Sequence, residues 1–104
     1  METGNDTFQA LLHMLRKLLK EMEIVSSQGS GYYTCVPFAS RFNKLLTLAR
    51  TLPGLDAALL GTFSPLEECD PKDPADKSRV LLGIRVEISQ LISLLESCGG
   101  GRKQ

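Results

Sequence analysis

The feature that most narrows the fold is a set of three apolar stripes at helical spacing, with no pair of complementary strands in the chain. In the first stripe Phe8, Leu11, Leu12, Leu15, Leu18, Leu19 and Met22 follow one another at intervals of three, one, three, three, one and three. On a helical wheel they occupy an arc about 120° wide. No glycine or proline interrupts them, and Asp6 or Thr7 stands where a short side-chain oxygen caps the free amides of a first turn. This pattern predicts a helix over about 7–25. Phe38, Phe42, Leu45, Ala49 and Leu52, flanked by Leu46 and Leu48, make the second stripe. It predicts a helix over 36–52, with Pro37 in the first turn and Pro53-Gly54 at the end. The third helix, predicted over 74–97, opens on the capping pair Asp73-Pro74 and stops at Gly99-Gly100-Gly101, leaving a flexible tail over 99–104. Val80, Leu81, Ile84, Ile88, Leu91, Ile92, Leu94 and Leu95 give it a broad apolar face centred near Ile84 and Leu95. It is expected to be the most hydrophobic helix and the central one.

The connections are of two kinds. Ser26-Ser27-Gln28-Gly29-Ser30-Gly31 is a run of turn formers. Tyr32 to Val36 taken alone resembles a strand, but it has no partner and is expected as an extended entry to the second helix. Leu55 to Leu60 can form about two turns, a short helix over 55–61 with Leu55, Leu59 and Phe63 facing inward. Pro65 to Asp76 holds three prolines and five acidic residues, which marks a solvated linker. The expected fold class is all-α: a small three-helix bundle with a short extra helix between helices two and three, in a single helical domain spanning 1–104.

Size and charge then exclude several functions. A chain of 104 residues buries about 60–65% of its unfolded surface, enough for one core. Twelve Lys and Arg balance twelve Asp and Glu, so no strong overall field draws in nucleic acid. No run approaches the roughly 20 apolar residues that span a bilayer, and the start lacks the basic and apolar regions of a secretory signal. Cys35, Cys69 and Cys98 are an odd set with no CxxC pair, and only one histidine accompanies them. Reduced thiols and a cytoplasmic location are the simpler expectation.

Candidate chemistry is sparse. His13 lies about 140° from Phe8 on the wheel, on the polar side of its helix, with no nucleophile beside it. Cys35 stands at a helix N-terminus, where amide dipoles favour thiolate, although a half-buried structural cysteine suits its neighbours better. Glu67, Glu68, Asp70, Asp73 and Asp76 place five carboxylates within ten residues. Pro71 and Pro74 interrupt them, Lys72 and Lys77 offset them, and the turn glycine of a calcium loop is missing. Gln28-Gly29-Ser30-Gly31 lacks the Lys-Ser/Thr ending of a phosphate cradle. The expectation is a non-enzymatic chain with no cofactor, no metal, no membrane association and no small-molecule substrate.

Two surfaces remain. His13, Arg16, Lys17 and Lys20 lie at i, i+3, i+4 and i+7 and form a basic stripe, with Lys44, Arg50, Arg102 and Lys103 elsewhere. Residues 30–65 carry three basic groups against one acidic, and 66–78 carry two against five, so charge is segregated although the total vanishes. A reader of the helix-turn-helix type needs a tighter turn than the roughly ten residues between helices one and two. Leu82 and Val86 sit one turn apart, about 140–180° from the centre of the third helix's apolar face, and Ser89 and Ser93 continue that back face. Either the short helix at 55–60, or Tyr32 and Tyr33, folds over them, or they form a second contact surface. The leading expectation is a protein-interaction module that self-associates as a homodimer or docks another protein through Leu82, Val86, Ser89 and Ser93. The alternative is a nucleic-acid-associated accessory protein using His13, Arg16, Lys17 and Lys20.

Overall fold

The structure is a computed structural model that describes residues 3–27, 35–52 and 54–100, with side chains from 7 to 97. The glycine-rich turn from Gln28, Tyr32 and Tyr33, Pro53, and the tail from Gly101 with Arg102 and Lys103 lie outside the described residues. So does the side chain of Cys98. Four helices follow in order: α1 (Thr3–Ser27), α2 (Val36–Ala49), α3 (Ala57–Leu60) and α4 (Pro74–Gly100). Among the described residues there is no strand, and the chain is a small all-α bundle.

The apolar stripes account for the packing. Leu11, Leu15 and Met22 of α1, Ala39, Phe42 and Leu46 of α2, and Leu81, Ile88, Leu91 and Leu95 of α4 are buried in one core. α1 packs most extensively on α4 and next on α2. Ion pairs join Arg16 to Glu96 and Glu23 to Arg85, so α1 and α4 run antiparallel. The Cys35 thiol donates to the Lys77 carbonyl at 3.7 Å, which sets the starts of α2 and α4 at the same end of the bundle. The molecule is 46 Å along its longest axis, close to the ~40 Å that the 27 residues of α4 span.

Residues 61–73 form an extended strap that climbs back along α2. Arg50 donates to the Phe63 carbonyl at 2.7 Å. The Asn43 amide donates to the Leu66 carbonyl at 2.8 Å, and its oxygen accepts from the Leu66 N–H at 2.7 Å, as a neighbouring strand would. The same amide donates to Glu68 at 3.0 Å. Higher up, Asp70 accepts from the Cys35 N–H at 3.2 Å and from the Lys77 ammonium at 3.0 Å. The spacing is metric. Seven and eight helical residues separate Arg50, Asn43 and Cys35, or ~10 and ~12 Å at the helical rise. Three and four extended residues separate Phe63, Leu66 and Asp70, or ~10 and ~13 Å at the strand rise.

Two sequence expectations are corrected and one is refined. The composition of 65–76 pointed to a solvated linker; most of its residues are exposed, but Leu66 packs against the core and Asn43 and Cys35 tie the segment to α2 at two levels. Leu59 was expected to face inward; it is exposed, and Leu60 is buried with Phe63. The cause is Asp56, whose carboxylate accepts from the N–H groups of Ala58 at 2.9 Å and Leu59 at 3.3 Å. It starts α3 at Ala57, which turns Leu60 to the core. Helix ends also differ. α1 begins at Thr3, so Asp6 and Thr7 lie within the helix, and α4 continues through Gly99 to Gly100 where the glycines were expected to stop it. α2 ends at Ala49 because Thr51 and Leu52 donate to the carbonyls of Leu48 and Ala49, tightening the last turn. Gly54 follows with φ +88°, the left-handed conformation that glycine adopts without a Cβ clash.

The two-way bond at Asn43 gives a direct test. Asn43→Ala strips both backbone groups of Leu66 of their partner and should cost about 1–3 kcal/mol in urea unfolding. Asn43→Asp should cost more at neutral pH, because the new carboxylate meets the Leu66 carbonyl and Glu68, and less as that carboxylate is protonated.

Candidate functional site

The side of α4 turned away from α2 is built unlike an ordinary solvent face. Leu82 is 56% exposed and Val86 47% exposed, stacked one turn apart. Neither α3 nor any other described segment covers them. Gly83, Ser89, Gln90 and Ser93 surround or continue them, all exposed and uncharged. Beside this ridge the α1–α4 seam opens into a groove of about 280 Å³. Leu19 and Glu23 line it from α1, and Leu82, Arg85, Val86 and Ser89 from α4. Arg85 crosses the seam to Glu23 at a loose 3.9 Å, while its Nε is buried and meets no acceptor among the described residues. At the other end the Arg16–Glu96 pair closes the seam. The back face expected from Leu82, Val86, Ser89 and Ser93 is therefore a single surface, and the groove with Leu19, Glu23 and Arg85 was not foreseen. The signal for it was an arginine placed between the core face and the apolar ridge of α4.

The basic stripe is present and half of it is offset. His13, Arg16, Lys17 and Lys20 are exposed along α1. Arg16 is paired with Glu96, and Lys17 lies 3.7 Å from Glu21. Of the outlying basic residues, Arg50 is bonded to the strap. Exposed pairs of this kind contribute little to stability, but they do cancel local potential. At about 20 mM salt, DNA or RNA titrated by fluorescence anisotropy should show no saturable binding. Tight binding that falls steeply with salt and is lost in Lys17→Glu with Lys20→Glu would restore the nucleic-acid reading.

At the opposite end of the strap, Cys35, Asp70 and Lys77 form a latch. Cys35 is wholly buried as the N-cap residue of α2, with no side-chain capping bond. Lys77 is nearly buried, and its ammonium rests on Asp70. Burial, and then the Asp70 carboxylate, push the Cys35 thiol above its ordinary value, against the opposing pull of Lys77. The structural cysteine favoured from the sequence is thus wholly buried rather than half-buried, and desolvation outweighs any pull of the helix N-terminus towards thiolate. Since the folded thiol holds its proton more tightly than the unfolded one, its contribution to stability is complete below the unfolded value and is lost as pH rises through the folded one. Peptide mapping after maleimide treatment at pH 8 should find Cys69 modified quickly and Cys35 only at the rate of unfolding. Equal labelling of the two would refute the buried, protonated state.

The acidic residues of the strap do not converge. Among the described residues no three His, Cys, Asp or Glu side chains are placed to hold a metal ion, and no helix is long and apolar enough to cross a membrane. Compared with known proteins, the chain matches no family model, no curated protein sequence and no solved structure, so its own geometry is the ground on which a function is argued.

Proposed function

We propose that the chain is a non-enzymatic protein-interaction module that docks a protein through the outer face of α4. The observation that carries this reading is the pair Leu82 and Val86, both about half exposed on the rim of the α1–α4 groove. A single exposed apolar side chain is ordinary. Two stacked on an uncharged face beside a groove form a contiguous patch of the kind that marks contact surfaces. Covering what remains exposed of both contributes about 2–3 kcal/mol per chain before association costs. Within the groove Arg85 reaches towards Glu23 across the seam, and beyond it Arg16 pairs with Glu96. The basic stripe of α1 carries no second reading, because Glu21 and Glu96 offset half of it.

The test compares the immobilised wild-type chain with a Leu82→Glu, Val86→Glu double variant in extracts of the producing cells. Wild type should retain a discrete protein, whether a partner or further copies of itself, and the variant should lose it while far-UV dichroism is unchanged. Identical retention by both would overturn the reading.

A further inference from the structure

We propose that the occupant of this face is a second copy of the chain, with α4 laid antiparallel on its counterpart about a two-fold axis between Val86 and Ser89. The proposal rests on the reading of the face as a docking surface and assigns its partner. Leu82, Val86, Ser89 and Ser93 follow at intervals of four, three and four, the spacing at which one helix seam meets another. The four are not alike. The two large apolar side chains occupy the N-terminal half of the face and the two small ones the C-terminal half. An antiparallel two-fold puts Leu82 against Ser93 of the second copy and Val86 against Ser89, so large meets small throughout and the space fills. A parallel pairing would set Leu82 on Leu82 and leave serine facing serine.

Charge points to the same occupant. From Leu82 to Ser93 the centre of the face, Leu82, Val86, Ser89, Gln90 and Ser93, has no charged residue. The centre of the face therefore sets no like charges against each other in a pair of copies, and it carries no charge that selects a partner of opposite sign. Gly83, at the edge of the face, has open space around any added Cβ and an ordinary φ, so nothing among the described residues calls for glycine in the middle of α4. A closely approaching helix does.

The area is adequate as well. α4 is ~40 Å long, and with α1 beside it the outer face is ~20 Å wide, or ~800 Å². That is about what each partner of a stable standard-sized interface buries. The contact is isologous and closes at two subunits, the α1–α4 pairs of both copies making a four-helix layer.

Sedimentation velocity of the full chain tests the proposal. Wild type should be a dimer at tens of micromolar, and Leu82→Lys and Ser93→Glu should each weaken dimerisation about 100-fold. Both positions are exposed in the monomer, so helical content should persist. The chain carrying Leu82→Lys and Ser93→Glu together should return to within about 10-fold of wild type, because each new lysine faces a new glutamate across the two-fold. A double variant weaker than either single one would overturn the antiparallel register. A wild type that is monomeric at about 200 μM would overturn the second-copy assignment. If such a monomer still retains another protein through Leu82 and Val86, the docking reading stands alone, and if it retains none, both fall.

Discussion

The antiparallel packing of α1 on α4 is the interaction on which the rest of the molecule depends. Each is about twice the length of α2, so their apolar stripes bury most of what the chain can bury. A fully buried leucine or isoleucine contributes about 1.5–3 kcal/mol, and Leu11, Leu15, Met22, Ile88, Leu91 and Leu95 are all at or near zero exposure. α2 spans only ~21 Å of the ~40 Å that α4 offers, and it lies on one side of the pair. The strap completes that side, with Phe63 and Leu66 filling in beside α2. Among the described residues nothing comparable lies on the other side, and the groove at Leu19 and Arg85 follows from this asymmetry.

The strap resolves a conflict between composition and compactness. An acidic segment with three prolines has little of its own to bury, and backbone groups laid against a helix need partners. Here helix side chains supply them: Asn43 satisfies both polar groups of Leu66, and Arg50 satisfies the Phe63 carbonyl. Asp70 then serves two ends at once, since the carboxylate that holds the Cys35 N–H also neutralises the buried Lys77. The acidic character of the segment thus has two roles. Glu67 is left exposed to water, and Asp70 provides the counter-charge without which Lys77 would not be buried.

The helices were legible because their cause is local. A period of 3.6 is written into residues 8–22, 38–52 and 80–95, and burial follows it closely. The ridge of Leu82 and Val86 was legible for the same reason, as an exception to that period. The strap was not, because its bonds join residues 23 and 35 positions apart. Composition registers solvation but not a partner at that distance. One sign was available in Asn43, a poor helix former inside a helix, which is favoured only where its amide has other work. The facing of α3 turned on a similarly small cause, a one-residue choice of cap at Asp56 that exchanged Leu59 for Leu60. At Cys35 two opposite effects on the thiol were both foreseeable, and only the extent of burial decided between them.

The outer face of α4 bears on function because the monomer does not need it. Residues that stabilise a bundle do so by leaving water, and Leu82 and Val86 remain about half in contact with it. Polar replacements there would forfeit little of the monomer's stability, and a lysine or glutamate is the ordinary occupant of such a position on a surface helix. Gly83 lowers helix propensity by about 1 kcal/mol relative to alanine, with space available for the alanine methyl. Arg85 is half-buried with a donor unused. Each feature is a small cost to the isolated chain, and all of them lie on or beside the same stretch of α4. Among the described residues no other segment of the monomer covers the apolar pair or fills the space beside the glycine, whereas a second helix laid along that stretch does both.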